Sequence, residues 1–158
     1  MKLLNMILVL CIIVSSSAVV AKDKPSKEEN MIKFRQSAMM FMRWNVGKIK
    51  KQVIKNPALY NKEDVEEAAN AIAAVANSGI DRLFTTKSAT GKGWKATRVK
   101  PVYFQQSEKV KQRHDTFRNE ANKLAIIAGR GNINNIGFQF GKLFASCQGC
   151  HKSYREKK

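Results

Sequence analysis

The residues with the clearest chemical potential are two cysteines and a histidine near the C-terminus, in the order Cys147-Gln148-Gly149-Cys150-His151. Residues i, i+3 and i+4 of a helix lie on one face, so both thiols and the imidazole can point the same way. Two thiols at this spacing can form thioether bonds with the vinyl groups of one haem, while the adjacent imidazole ligates its iron. The pattern therefore predicts one covalently attached haem c, whose iron has a second axial face to fill or leave open.

Three other sites use a Cys-x-x-Cys pair: a redox dithiol, a zinc site and a disulfide. A redox dithiol opens a helix that follows a strand, and no strand pattern precedes Cys147. A structural zinc ion takes four ligands. After residue 21 the chain has only two cysteines and two histidines, and His114 lies far from the motif in sequence. Haem attachment is therefore the favoured interpretation.

The first 21 residues have the pattern of a secretory signal peptide. Lys2 supplies the positive start, residues 3–14 form an apolar run, and a small-residue cleavage region ends at Ala21. The apolar run is too short for a membrane-spanning helix. We therefore expect cleavage near Ala21, a single domain over residues 22–158, and a periplasmic protein without a stable membrane anchor.

The chain is strongly basic, with a formal net charge of +17 at pH 7. Such a charge can attract nucleic acid or anionic lipid. Export argues against nucleic acid, and no basic run with interleaved aromatic residues is present. The lysines are spread along the whole chain, so we expect a solvated basic surface that can steer the protein towards acidic partners or lipid headgroups.

Apolar residues recur at three- and four-residue intervals along most of the chain, which is typical of helices with one face in a core. No alternating pattern of the kind seen in strands competes with this one. We therefore expect an all-α, antiparallel up-down-up-down four-helix bundle. Helix starts are predicted near Ser26, Asn61, Pro101 and Asn132, and the first three helices should end at Asn56-Pro57, at Ser78-Gly79 and at Gly129-Arg130-Gly131.

Residues 79–101, between the second and third predicted helices, are rich in Gly, Ser and Thr. A connection of this length inside a compact domain usually has a function of its own. We expect it to cover one edge of the haem, with Phe84 lining the group and excluding water. His114, in the third predicted helix, is expected to be an ordinary, partly exposed histidine rather than an iron ligand.

With these motifs on a four-helix pattern, the sequence resembles the class II cytochromes c, and in particular the cytochrome c′ family. The resemblance covers residues 22–158. Its strongest segments are Ile32 to Ala38 (IKFRQSA), Thr97 to Pro101, and Cys147 to Arg155, which reads CQGCHKSYR. The chain departs from the family after Pro101, where Val-Tyr-Phe replaces the usual Glu, an aliphatic residue and Trp.

The resemblance implies roles for residues at both ends of the chain. Cys147 and Cys150 would hold the haem covalently, and His151 would be the proximal iron ligand. Arg155, one turn later, would lie beside the proximal imidazole and could bond a ligand on that side. In the first predicted helix, Arg35 would pair with a haem propionate, which would also explain a cation in an apolar stripe; Gln36 beside it belongs to the same cofactor-binding segment.

Met39 is where the family places a bulky side chain, commonly Leu, that blocks the distal face of the iron. If its thioether stays off the iron, the haem is five-coordinate and high-spin, and the family binds NO and CO there. If Met39, or as a less favoured choice Met42, ligates the iron, the protein is a low-spin class II cytochrome c (c-556-like) acting only in electron transfer. Methionines at helical spacing are also often plain core packing. We favour the open, high-spin site.

The expected partners are NO or CO, an unidentified redox partner, and a second copy of the chain. A homodimer could form through the first and second predicted helices, because the many alanines of the second allow a close approach, either within the bundle or to another copy. No general base, nucleophile or substrate pocket is visible in the sequence. We therefore do not expect an enzyme.

Overall fold

The computed structural model describes residues 24–157, so the predicted signal peptide lies outside the described residues. The described chain is mostly helical, with two isolated bridges and no β-strand. Its α-helices are α1 (Lys27–Ile49), α2 (Lys62–Asn77), α3 (Val102–Gln105), α4 (Ser107–Arg130) and α5 (Ile133–Tyr154). The four long helices, α1, α2, α4 and α5, form the bundle, which confirms the predicted all-α class.

The helices begin at the residues that the sequence singles out. Ser26 caps α1: its hydroxyl accepts a hydrogen bond from the backbone N–H of Glu29, whose carboxylate accepts one from the backbone N–H of Ser26. This reciprocal capping box satisfies two amides at the start of the helix. The side chains of Asn61 and Asn132 cap α2 and α5, each accepting from the backbone amide three residues later.

Most helix ends also match the prediction. α1 continues as a π-helical segment, Lys50–Lys55, and stops at Asn56-Pro57, where a 3₁₀ turn over Pro57–Leu59 follows. α2 and α4 stop before Gly79 and Gly131, whose φ angles are 76° and 77°. Glycine adopts this left-handed conformation without the steric cost that a Cβ would bring, so it terminates a helix readily.

The third predicted helix differs from the prediction, because it is interrupted instead of continuous from Pro101. Pro101 caps the short helix α3, and α4 starts only at Ser107. Gln106 separates them with φ −120° and ψ 51°, which is not a helical conformation. At this break, Tyr103 is buried and the side chain of Gln106 accepts a hydrogen bond from the Tyr154 hydroxyl.

The centre of the bundle is a cluster of mostly aliphatic side chains, here called the aliphatic core. It takes residues from all four long helices, and its largest fully buried members are Ile49, Val65, Ile72, Leu124, Ile136 and Leu143. The alanines of α2 belong to it: Ala68, Ala69 and Ala76 are buried there. They therefore serve close packing within the chain and are not free for a second copy. No helix among residues 24–157 is both long and apolar enough to span a membrane.

Candidate haem site

The Cys-x-x-Cys-His motif lies in the last turns of α5, as the sequence predicts. α5 stays helical to Tyr154, so Cys147, Cys150 and His151 occupy helical positions on neighbouring rows of one face. Both cysteines are free thiols and half-buried, and His151 is half-buried beside them. Two cysteines at this spacing, not paired in a disulfide, are what thioether attachment to one haem requires.

Burial and nearby charge set the protonation states in the motif. Burial raises the pKa of the Cys147 and Cys150 thiols. Burial also lowers the pKa of His151, and the positive charges of Arg155 and Arg98 lower it further. An imidazole ligates iron through the lone pair of a neutral ring, so this environment keeps His151 in the form that a metal ligand needs.

The C-terminal end of α5 is fastened to residues 98–100. The backbone N–H of Lys100 donates to the carbonyl of Tyr154, and the N–H of Glu156 donates to the carbonyl of Arg98. Val99 and Arg155 form an antiparallel bridge between these two bonds. These contacts hold Arg155 in an extended conformation one turn after His151, so the connection reaches the same end of the bundle as the motif.

A second hydrophobic cluster, here called the aromatic cluster, adjoins the motif. Tyr103, Val110 and Tyr154 are buried in it, and the partly buried residues packed against them are Phe84, Val99, Val102, Phe104 and Cys150. The ring of Tyr103 stacks on Phe84 with centroids 5.0 Å apart and meets Tyr154 edge-on at 5.7 Å. Phe84 and Cys150 thus pack against the same buried residues, and the contact of Phe84 with the haem stays a prediction.

Sequence reasoning missed the hydrogen bond at the centre of this cluster. The hydroxyl of Tyr103 lies 2.8 Å from Nε2 of His114. Burial lowers the pKa of His114 and raises that of Tyr103. The signal in the sequence was the Val-Tyr-Phe segment that departs from the family pattern, but spacing alone does not bring residues 103 and 114 together across a broken helix.

Arg113 is a second residue near the motif that no pattern in the sequence singles out. It lies on α4 against the motif, where a Cβ atom at Gly149 would come within 3.0 Å of its Nη1. Because Gly149 has no side chain, the guanidinium can approach the backbone of α5 closely. Its positive charge partly offsets the effect of burial on the pKa of Cys150.

Arg35 is the buried cation that the first predicted helix contains. It is 3% exposed. Its Nη1 donates to the carbonyl of Leu83 and the hydroxyl of Ser88, and its Nη2 donates to the carbonyl of Ser88 and the hydroxyl of Thr97, at 2.7–2.9 Å. The guanidinium also lies 4.6 Å from the ring centroid of Phe84. Within residues 24–157, these bonds leave the Nε–H as the donor available to a further acceptor such as a propionate.

Gln36 holds the same connection from the next position of α1. Its Oε1 accepts from the backbone N–H groups of Trp94 and Lys95, and its Nε2 donates to the carbonyl of Lys95. Gly93 makes this possible, since a Cβ there would lie 2.6 Å from the backbone N of Lys33. Arg35 and Gln36 thus bind residues 83–97 to α1 beside the aromatic cluster.

The two methionines considered for the distal face differ in burial. Met39 is half-buried and lies one turn after Arg35, on the same face of α1. Met42, three residues later, is buried. The structure therefore gives Met39 the more accessible thioether, while Met42 has the burial expected of a packing residue.

Comparison with known proteins identifies the architecture. The family model described as cytochrome C′ matches residues 30–155. The chain belongs to the cytochrome c′ family. Cytochrome c′ of Rhodocyclus tenuis is 42% identical over 134 residues, covering 85% of this chain and 99% of the relative. The family carries one covalently attached haem c, and Cys147 and Cys150 supply its attachment motif here.

Two solved cytochromes c′ have the same fold. One, with an unusual ligand-controlled dimer dissociation, has a TM-score of 0.78 and 40% identity, covering 85% of this chain and 100% of that chain. The other is a nitric oxide complex of a variant from Alcaligenes xylosoxidans, with a TM-score of 0.72 and 25% identity, again covering 85% and 100%. This member of the family is therefore a monohaem c-type cytochrome.

Proposed function

We propose that this cytochrome c′ family member is an exported, periplasmic protein that binds NO or CO at a five-coordinate, high-spin haem iron and can also carry electrons. The observation that carries the proposal is that Arg35 of α1 lies against the ring of Phe84, which packs in the aromatic cluster together with Cys150 of the CxxCH motif. The motif supplies covalent attachment and a neutral imidazole. Met39, one turn along α1 from Arg35, would supply an apolar group at the distal face, and no titratable base or nucleophile is needed.

The bound haem would supply an iron centre that changes oxidation state and takes diatomic ligands. Cys147 and Cys150 would hold it, and His151 would be its proximal ligand. Arg35 would offer its Nε–H to a propionate, while its other donors keep residues 83–97 in place. Arg155 would stand beside the proximal imidazole, where the bridge with Val99 fixes its backbone.

The choice of small ligand follows from the side chain at the distal face. Met39 has a thioether and no polar hydrogen, so it offers bound O₂ no hydrogen bond. NO and CO depend less on such a donor, and a related cytochrome c′ variant forms a nitric oxide complex. If Met39 instead ligates the iron, the haem becomes low-spin, and the function reduces to electron transfer.

Visible spectra of the oxidised and reduced holoprotein, with and without CO or NO, test the proposal. A broad high-spin Soret band that shifts when gas is added supports the open site. A sharp low-spin α-band that CO leaves unchanged assigns the protein to the methionine-ligated alternative. A colourless exported protein whose mass equals that of the polypeptide alone would contradict both.

The variant Met39→Ala separates steric blocking from ligation. It should speed CO binding if Met39 covers the iron, and should convert low-spin haem to high-spin if Met39 ligates it. Met40→Ala is the matched control, because Met40 is the neighbouring residue but is 64% exposed. Equal behaviour of the two variants would remove Met39 from the site.

Export can be tested on the same sample. A signal peptide that ends at Ala21 predicts a mature protein beginning with Lys22. The intact mass of periplasmic holoprotein should equal residues 22–158 plus one haem. Retention of residues 1–21 in that mass would contradict the cleavage site.

We also propose a homodimer, now centred on the outer face of α1 instead of the alanines of α2. That face carries the exposed side chains of Met40, Phe41 and Trp44, and beside Gly47 it forms a groove of about 470 Å³. Its charges are all positive, from Arg43, Lys48 and Lys51. α2 presents exposed Glu63 and Glu67, so two copies that cross α1 over α2 would pair opposite charges.

Trp44→Glu should weaken this dimer by about 30-fold or more, because a buried interface Trp is worth about 2 kcal/mol or more. Sedimentation velocity over a range of concentrations measures the change. Phe138→Glu, which alters a residue 70% exposed on α5, is the control. A monomer at all concentrations, or equal weakening by the two variants, would rule out this interface; vesicle binding that Trp44→Glu abolishes would assign the face to lipid instead.

A further inference from the structure

The aromatic cluster contains two buried tyrosines of similar exposure but different chemistry. The hydroxyl of Tyr103 lies 2.8 Å from Nε2 of His114. The hydroxyl of Tyr154 donates to the side-chain carbonyl of Gln106 at 3.1 Å. Both tyrosines are 6% exposed. An amide oxygen cannot take a phenolic proton near neutral pH, whereas a neutral imidazole can.

Tyr103 is close to the point where the haem is attached. Cys150 packs against the cluster that contains Tyr103 and Tyr154. The ring of Tyr103 is in contact with those of Phe84, Phe104 and Tyr154, with centroids 5.0–5.7 Å apart. The tyrosine is therefore surrounded by aromatic rings and lies one packing layer from a covalent attachment to the haem.

We propose that Tyr103 and His114 form a proton-coupled redox pair, in which Tyr103 gives an electron to the haem centre when a hydroperoxide oxidises it. The phenolic O–H bond of Tyr103 breaks, and its proton forms an N–H bond at Nε2 of His114. The electron leaves Tyr103 towards the haem attached at Cys150, and a neutral phenoxyl radical remains on Tyr103. The bound haem would supply the second of the two electrons that a hydroperoxide ROOH takes up as its O–O bond breaks to RO⁻ and OH⁻, so that hydrogen atoms and charge balance with the imidazolium formed at His114.

The surroundings of His114 suit this proton transfer. The imidazole is half-buried, and burial lowers its pKa, so the ring is neutral and able to accept at neutral pH. The carboxylates of Asp81 and Asp115 favour the imidazolium that forms, and Arg118 opposes it. Asp115 is already paired with Lys111 and Arg118, which leaves Asp81, from the turn Ile80–Leu83, as the main counter-charge.

The ordinary alternative is a buried tyrosine hydroxyl that simply satisfies its hydrogen bond. The two readings differ in what happens after oxidation. A structural hydrogen bond gives no preference for a radical at Tyr103 over Tyr154, because both are buried in one cluster. A proton-coupled pair places the radical at the tyrosine that has a base, and makes its formation depend on that base.

The test is freeze-quench electron paramagnetic resonance of the ferric holoprotein mixed with one equivalent of hydrogen peroxide. Wild-type protein should give a tyrosyl radical signal, which Tyr103→Phe abolishes and Tyr154→Phe preserves. His114→Gln keeps an acceptor but cannot take the proton, so the radical should form about 10²-fold more slowly. This variant retains both tyrosines, and it tests the pair even if Tyr103→Phe does not fold.

Several outcomes would overturn the proposal. These are a wild-type protein without a tyrosyl radical, a signal that persists in Tyr103→Phe, a signal lost in Tyr154→Phe, and an unchanged rate in His114→Gln. The pair rests on the proposed open site, because a hydroperoxide has to reach the iron, so CO binding is recorded on the same samples. A protein that binds CO but gives no tyrosyl radical overturns the pair alone, whereas a low-spin protein that does not bind CO overturns the proposed function and the pair together.

Discussion

The aliphatic core and the aromatic cluster are built by different means, although α4 and α5 pass through both. The aliphatic core comes from the long helices, and its largest buried side chains have no polar atoms. The aromatic cluster takes Phe84 and Val99 from the long connection and Tyr103 from α3. Its tyrosines carry hydroxyls that need partners, and beside it Arg35 holds the connection with four hydrogen bonds.

This difference shows what determines the packing of the aliphatic core and of the aromatic cluster. Hydrophobic burial is non-directional, so a helical repeat of aliphatic residues is enough to specify the core. Hydrogen bonds to a buried guanidinium are directional, and each lost partner leaves a buried polar group unsatisfied. The aromatic cluster therefore depends on particular atoms, whereas the aliphatic core depends mainly on volume.

The largest effect on stability should come from truncating the aliphatic core. Leu124→Ala removes a fully buried side chain, and we expect the free energy of unfolding to fall by about 2–5 kcal/mol. Urea denaturation of the holoprotein measures this. The visible spectrum of the folded variant should not change, because Leu124 belongs to the core and not to the cluster. Ile126→Ala, at a residue 59% exposed on the same helix, is the control.

Removing the buried cation should have the next largest effect, and should act on the connection first. Arg35→Met leaves the carbonyl of Ser88 without its donor and the carbonyl of Leu83 with the Ser88 hydroxyl alone, and we expect a loss of about 2–3 kcal/mol, since water can reach some of the freed acceptors. Hydrogen exchange should accelerate in residues 83–97 more than in α2. Arg43→Met, on the exposed side of α1, should neither lower the free energy of unfolding by this amount nor accelerate hydrogen exchange in residues 83–97. Uniform loosening of the whole bundle would contradict a local role.

The sequence predicted the features that depend on neighbouring residues and missed those that depend on distant contacts. The capping residues Ser26, Asn61 and Asn132 and the glycine at 131 act within a few residues of chain, so local patterns predicted them correctly. The CxxCH motif is local as well. The partners of Arg35 lie about 50 to 60 residues away in a segment without periodicity, and no pattern predicts them.

The break at Gln106 was missed for a related reason. Gln106 has helical residues on both sides, and the sequence alone predicts one helix from Pro101. The helix is interrupted where Tyr103 is buried and Gln106 meets Tyr154, and both are tertiary interactions. Tertiary contacts override local propensity most easily in such short segments.

Tyr103→Phe should cost less than either change above, because it removes one hydrogen bond and keeps the ring. We expect a loss of about 0.5–1.5 kcal/mol, measured by urea denaturation, with the helical content unchanged. Tyr154→Phe removes the bond to Gln106 and should cost a similar amount. A loss as large as that of Leu124→Ala would show that the hydroxyl, and not ring packing, stabilises the aromatic cluster.

The smallest effect should be a dependence on pH at the edge of the bundle between α4 and α5. Buried Gln139 donates from Nε2 to the carboxylate of Glu120 at 2.6 Å, and this bond holds the pKa of Glu120 below its usual value. A carboxyl whose pKa is lower in the folded state stabilises the protein above its unfolded pKa and loses that contribution as pH falls.

Glu120→Gln should therefore be slightly less stable than wild type at pH 7, by less than about 1 kcal/mol, because the carboxylate is near the surface. The difference in the free energy of unfolding between wild type and Glu120→Gln should disappear as pH falls from the unfolded pKa, about 4.5, through the lower folded pKa. Parallel urea denaturations across this range measure it, with Glu156→Gln as the control for an exposed carboxylate near the C-terminus. A gap that stays constant with pH would mean that the Gln side chain disturbs packing around Gln139. The edge between α4 and α5 would then resemble the aliphatic core, where side-chain volume matters more than a directional bond to one atom.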